Sequence, residues 1–440
     1  MSFPSPDILV LGAGLAGCEA ALTLARRGLR VRLYDRKPER RSEASHSGLF
    51  GELVCSNSLR ARSPENAVGL LKEELSRLGS FVMAAACETE VPAGGAMAVD
   101  RDRFAAWLTE AIRRETRIET VCGELPGIPE SSAPVIVATG PLTSDALAAH
   151  IAALTGQEQL HFYDAIAPIV SAESLDMSVI FRASRYGKGG DDYLNLPMNE
   201  EEYHRFVAEL RAGAKVPPRA FEDPKYFEGC LPVEILAERG DLVLAYGPMK
   251  PVGLIDPRTG ARPFAVVQLR AENLEGSAYN LVGFQTRLTH PEQLRIFRSL
   301  PGLGQAEFLR LGSVHRNTFL DAPKLLDDAL RLKTRPTLRF AGQLAGVEGY
   351  VESTACGLYA ALSALAEWKG LPLLPPPRET ALGALMGHLR EAREPFEPSN
   401  VTHAMFPPLN LRLRKRDRKS AYAERARSAL AAWMSESGLY

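Results

Sequence analysis

The sequence predicts an α/β chain built on a Rossmann-like nucleotide-binding unit, split in two along the sequence by an inserted α+β segment. Three observations predict it. A strand, a glycine turn, a helix and a second strand run in order through DILVLGAGLAGCEAALTLARRGLRVRLYD. A further buried strand ends in a small-residue turn at Pro134–Gly140, PVIVATG. Much later, Leu338–Gly342 (LRFAG) leads into QLAGVEGYVESTACGLYAALSALAEW, whose second part has helical periodicity.

The first unit justifies itself residue by residue. Ile8–Leu11 is a short apolar run, as for a parallel strand covered on both faces. Gly12, Gly14 and Gly17 form GxGxxG, with Ala13, Leu15 and Ala16 between them. The first glycine makes the tight turn, the second lets backbone approach a pyrophosphate, and the third lets helix and strand pack closely. The helix start then offers unpaired N–H groups to the phosphates. Asp35 ends the second strand, where an acid can bind a ribose hydroxyl. A strand such as Pro134–Gly140 lies beside the cofactor in many flavoproteins with two dinucleotide-binding halves. The late strand–glycine–helix unit makes the domain discontinuous, at residues 1–143 and 331–440, and closes it over the isoalloxazine end of a flavin, with Gly342 at the turn. Residues 144–330 are then the insertion, in which LVLAYGPM and YNLVGFQT look like strands. No second GxGxxG occurs there, so no separate nicotinamide-binding unit is expected.

Composition fits a globular protein: 440 residues, 45% hydrophobic, 24% charged, formal net charge −1. A chain of that charge binds a polyanion only through a local basic patch. The run RLRKRDRKSAYAERAR, Arg412 to Arg427, offers one, although a solvated helix face explains it as well. No metal site is expected: six cysteines (Cys18, Cys55, Cys87, Cys122, Cys230, Cys356) are scattered without a CxxC pair, which argues against zinc and against a disulfide framework. No signal-like or membrane-spanning apolar stretch is seen, so a cytoplasmic location and no membrane contact are expected.

Two cysteines stand in loop-like surroundings. Cys55 lies among Gly, Ser and Asn in GLFGELVCSNSLR, and Cys230 sits between Gly229 and Pro232 in FEGCLPVEIL. Cys18, Cys356, Cys87 and Cys122 read as packing residues. A flavin disulfide reductase keeps its redox cysteines close in sequence, and these two are far apart. A thiolate can instead add to an electron-poor ring such as C6 of uracil, which turns C5 into a carbon nucleophile. That chemistry needs a thiol of lowered pKa with an acid or base nearby.

The segments GAGLAGCEAA, FGELVCSNSLR, NAVGLLKEEL, DYLNLPMNEEEY, FEGCLPVEILAERG, GPMKPVGLIDPRTGARPFAVVQLRAEN, YNLVGFQTRL, HRNTF and FAGQLAGVEGYVES resemble the folate- and FAD-dependent tRNA (uracil-5-)-methyltransferase family, TrmFO. The resemblance implies methylation of the T-loop uridine at position 54 of tRNA. The carbon comes from methylenetetrahydrofolate, and NADPH or NADH reduces the FAD. It also implies Cys230 as the nucleophile toward uracil C6, Cys55 as a thiol near flavin and uracil, and the Gly12–Gly17 loop as the FAD site. Arg316, Asn317 and Lys250 are candidates for folate or phosphate contacts, and Glu348 and Glu352 lie beside the flavin-closing helix. Two departures stand out: Leu196 replaces a cysteine in YLNCPMN, and LRLRKRDRK follows FPPLN where a less basic run is usual. Alternatives are the related wobble-uridine aminomethylation flavoprotein, whose chains run longer, a flavin disulfide reductase, and a non-catalytic tRNA-binding flavoprotein.

Overall fold

The computed structural model describes residues 5–40, 45–157, 160–217, 231–391, 394–409, 413–414 and 417–439. β1 (Ile8–Leu11) is buried on both faces, α1 runs Leu15–Arg26, and β2 spans Val31–Asp35. They open a six-stranded sheet ordered Arg331–Leu332, Arg335–Phe340, Val135–Val137, β1, β2, Ile118–Cys122. All pairings are parallel except that of Arg331–Leu332 with its neighbour. Leu9 sits opposite Val135, and Val135 opposite Leu338, so this sheet joins residues more than two hundred positions apart.

The helix Tyr350–Trp368 lies against α1, and small residues permit it. A Cβ on Gly357 would stand 2.2 Å from the Ala16 carbonyl oxygen, inside any tolerable contact. Alanines line both helices, so this face of the core is close-packed backbone rather than large side chains.

A second six-stranded sheet is wholly antiparallel: Phe181–Arg182, Tyr193–Met198, Ala265–Ala271, Ala278–Leu281, Ile169–Ser171, Phe308–Arg310. It buries its own core, from Val170 to Ala306, against the amphipathic helix Glu200–Ala212. Leu196 is fully buried there. Leu147, Ile151 and the apolar side chains of 319–330 pack instead into the first core, so by packing the second unit lies inside residues 144–330. YNLVGFQT supplies a strand as expected. LVLAYGPM does not: Val243–Tyr246 is one short helical turn, because Gly247 and Pro248 follow at once and Tyr246 projects into solvent. Between the two units runs an antiparallel ribbon, Leu160–Ala165 with Val314–Phe319.

Candidate active site

The loop after β1 is shaped by its glycines. Gly12 has φ +96°, and a Cβ there would lie 2.5 Å from the Ala138 carbonyl oxygen. A Cβ on Gly17 would lie 1.7 Å from the Gly12 carbonyl oxygen, so Gly17 serves packing and lines no cavity. Gly14, the residue before α1, has open space where its Cβ would be. Ala13, Gly14, Leu15 and Ala16 face a cleft of ≈ 890 Å³ that also meets Asp35, Gly140, Gly342 and Tyr350. The first turn of α1 carries no acidic residue, which keeps its positive end available to an anion. Asp35 Oδ2 accepts the Ala13 N–H (2.6 Å) and Oδ1 the Lys37 N–H (2.8 Å), which fixes the carboxylate at the cleft's edge.

On one side the cleft runs into a pocket of ≈ 450 Å³ lined by Gly12, Tyr34, Arg36 and Thr143, sharing Asp35, Arg36, Thr139 and Leu142 with it. On the other side it meets a chamber of ≈ 1120 Å³, sharing Val54, Pro141, Leu142, Gln343 and Tyr350. The three spaces form one channel, with an open-amide helix start at its middle. That form and donor set fit FAD, which Gly14, Asp35 and Gly342 would hold.

The chamber is where the chemistry-bearing residues meet. Cys55, Asp164, Gln285, His315, Asn317 and Glu348 line it. Asp164, His315 and Asn317 come from the connecting ribbon, Glu348 and Tyr350 from the start of the long helix. The Cys55 loop is held from both units. The N–H groups of Cys55 (2.7 Å) and Ser56 (3.1 Å) donate to the Tyr350 hydroxyl oxygen. Arg101 donates to the Leu53 carbonyl (2.6 Å), Arg310 to the Val54 carbonyl (2.8 Å), and Arg270 to Ser56 Oγ (2.8 Å) and Asn57 Oδ1 (2.8 Å). Arg101 is itself paired with Glu272 at 2.8 Å.

Burial pushes the Cys55 thiol up, with the Asp164 carboxylate adding to the effect and Arg101 and Arg310 opposing it. The Sγ lies 3.7 Å from the Ala165 carbonyl oxygen. The expectation of a lowered thiol pKa is therefore not met at Cys55, which rests as a neutral thiol. Glu348 is likewise pushed well up, first by burial and then by Asp164 and Glu352, and it accepts a hydrogen bond from Gln343 Nε2. The chamber thus holds a neutral thiol beside a carboxyl group that favours its protonated form.

Other sequence candidates fall elsewhere. Cys230 lies outside the described residues. Val233, three residues on, donates its N–H to the Gln285 carbonyl (2.7 Å), and Gln285 lines the chamber. Cys18 and Cys356 are fully buried, as packing residues should be, whereas Cys87 and Cys122 are exposed. Asn317 faces the chamber; the Arg316 side chain lies outside the described residues; Lys250 is exposed. Glu352 is buried and paired with Arg60. Arg412 and Lys415 of the basic run lie outside the described residues. Arg425 donates to the Pro407 (2.7 Å) and Pro408 (2.9 Å) carbonyls and Arg427 pairs with Glu73 (2.9 Å), so part of that run holds the fold together. Sequence reading passed over Asp164, His315, Gln343, Tyr350 and the three arginines behind Cys55. His315, Gln343, Tyr350 and Arg270 lay inside recognisable segments, but nothing local marked Asp164, Arg101 and Arg310.

The model of the family Glucose inhibited division protein A matches residues 7–372. A Myxococcus xanthus protein, Methylenetetrahydrofolate--tRNA-(uracil-5-)-methyltransferase TrmFO, is 57% identical over 438 residues, which cover 98% of this chain and 95% of that protein. A protein of the same name from Geobacter sulfurreducens is 56% identical over 429 residues, 97% of this chain and 98% of the other. Among solved structures, Aquifex aeolicus GidA superposes with a TM-score of 0.73 at 16% identity, covering all of this chain and 75% of that one, a likeness of fold. By sequence along nearly its whole length, the chain belongs to the TrmFO family of methylenetetrahydrofolate--tRNA-(uracil-5-)-methyltransferases.

Proposed function

We propose that this protein methylates C5 of the T-loop uridine at position 54 of tRNA, taking the carbon from methylenetetrahydrofolate and reducing power from NADPH or NADH, in the cytoplasm. The observation that carries the reading is the single channel in which a dinucleotide cleft opens, past Tyr350 and Gln343, onto a chamber walled by Cys55. Relatives more than half identical across the chain bear the corresponding name. Among the described residues, no helix is long and apolar enough to cross a membrane.

Bound FAD supplies the reducing equivalents and the one-carbon transfer. The chain's own residues do the rest. The Gly12–Gly17 loop and the α1 start hold the pyrophosphate, and Asp35 takes the ribose. Cys230 is the nucleophile: its sulfur bonds to uracil C6, and the ring's electron pair passes to C5. C5 must later lose its proton as the C6–sulfur bond breaks; Cys55 takes that proton as the thiolate, after giving up its own proton to solvent, and the Glu348 carboxyl group is a proton donor in the same chamber. The likeness to GidA favours no second reading, because it rests on 16% identity and on the fold.

The test is direct. Purified protein given unmodified tRNA, methylenetetrahydrofolate and NADPH should form 5-methyluridine, and Cys230→Ala should abolish it while tRNA still binds. Full methylation by Cys230→Ala would end the nucleophile assignment; no methylation by the wild type would end the reading itself.

A further inference from the structure

The second unit carries an exposed face that the reaction does not use. Tyr246 is 81% exposed and Tyr186 is 67% exposed. Tyr186 adopts φ 58°, a conformation costly for an aromatic residue, and its ring packs onto the backbone of Gly253 while its N–H donates to the Gly253 carbonyl (3.0 Å). One arginine knots the face together. Arg185 Nε donates to Gln268 Oε1 (2.8 Å), and Nη1 donates to the carbonyls of Lys250 and of Val252 (3.1 Å). Lys188 lies in the same turn as Tyr186, and Lys250 follows Tyr246 by one turn. Both lysines are exposed, and among the described residues neither makes an ion pair.

The face adjoins the chamber. Gln268, which holds Arg185, and Arg270, which holds Ser56 beside Cys55, lie two residues apart on one strand and on the same side of it, on the order of 7 Å. The loop bearing Lys188 also reaches the first unit: Asp192 accepts the Gly94 N–H (2.6 Å). Two exposed aromatic rings, that of Tyr186 strained and braced, with exposed ammonium groups near each in sequence fit a ribose–phosphate chain with unstacked bases, since rings stack on bases and lysines meet phosphates.

Resting on the reading of tRNA as substrate, we infer that this face, Tyr186, Lys188, Tyr246 and Lys250 braced by Arg185, is where the backbone of the tRNA lies when its uridine enters the chamber. The test uses the full-length flavoprotein and unmodified tRNA transcript, with dissociation constants measured across a salt series. Lys188→Ala with Lys250→Ala should lower the log–log salt slope by about 0.7–0.9 for each lost phosphate contact. Tyr246→Ala should weaken binding about five-fold or more while Tyr246→Phe keeps it. FAD content and absorbance spectrum should stay at wild type in all of them. Unchanged affinity and slope in the double-lysine variant would overturn the assignment, even with the wild type fully active. An inactive wild type that still loses its slope with the lysines would instead strike the proposed reaction and leave the face standing.

Discussion

Two regions bury thiols and carboxyl groups, and they use them differently. In the core between α1 and its neighbours, Cys18 Sγ lies 3.2 Å from the Ala13 carbonyl. Glu19 accepts hydrogen bonds from Ser80 Oγ (2.7 Å), Val82 N–H (2.9 Å) and Phe81 N–H (3.2 Å), and so ties α1 to the helix Phe81–Glu88. At the chamber wall, Cys55 and Glu348 sit beside open space. Burial raises the pKa of all four groups. Proton affinity therefore does not separate the two regions; room for a substrate does. A core group can spend its polarity only on neighbours, and a wall group has a face left over.

That contrast can be broken, most severely in the core. Gly17→Val sets side-chain atoms into the Gly12 carbonyl and should cost more than about 3 kcal/mol. The expected outcome is little soluble flavoprotein, read by FAD content and thermal unfolding. A stable yellow variant would show the core softer than argued.

Next, Cys55→Ala should slow single-turnover methylation about a hundred-fold, with a melting temperature near wild type. Cys18→Ala should do the reverse, losing about 1 kcal/mol of stability with the rate per bound flavin unchanged. If both variants lose only stability, the distinction between core and wall fails.

A third test uses pH. Glu74 is buried where it accepts the Ala381 (2.7 Å) and Leu382 (2.8 Å) N–H groups, yet burial outweighs these bonds and raises its pKa to about 7. The fold thus favours the protonated form. Its contribution is complete below about pH 4.5 and is lost as pH rises to about 7, at most about 3 kcal/mol. Glu74→Gln cannot titrate and should flatten that segment of the stability–pH curve, while methylation stays constant. A curve as steep as the wild type's would assign the slope to other groups.

The smallest effect is expected at the tail. Neutralising Arg412, Arg414 and Lys415 should flatten the salt dependence of tRNA binding by less than one unit per lost contact, and an unchanged slope removes the tail from the interface.

How much of this was legible follows from how local each signal is. Strand, glycine turn, helix and acid from Ile8 to Asp35 obey short-range sterics, and the structure draws them at the expected residues. LVLAYGPM misled because four apolar residues suit a strand or a helical turn equally well, and only the packing of Leu244 into the second core decides. Cys87 and Cys122 misled because cysteine usually sits inside, whereas the faces of their helix and strand happen to point outward. The chamber was half visible. Cys55 announced itself through its polar neighbours, but Asp164 and His315 lie more than a hundred residues away and meet it only through the pairing of a ribbon. Side chains assembled by topology leave no mark on the sequence around them.

The pairing of Val135–Val137 with Arg335–Phe340, and the docking of Gly357 on Ala16, carry a consequence for synthesis. A nascent chain leaving the ribosome exposes the small-residue face of its first helix long before the segment that covers it exists. The nucleotide cradle stays open on one side until about four-fifths of the protein has been made. The coenzyme is then acquired late, by a nearly finished polypeptide, and a truncation before Tyr350 should yield colourless, aggregation-prone material however intact its amino-terminal motif.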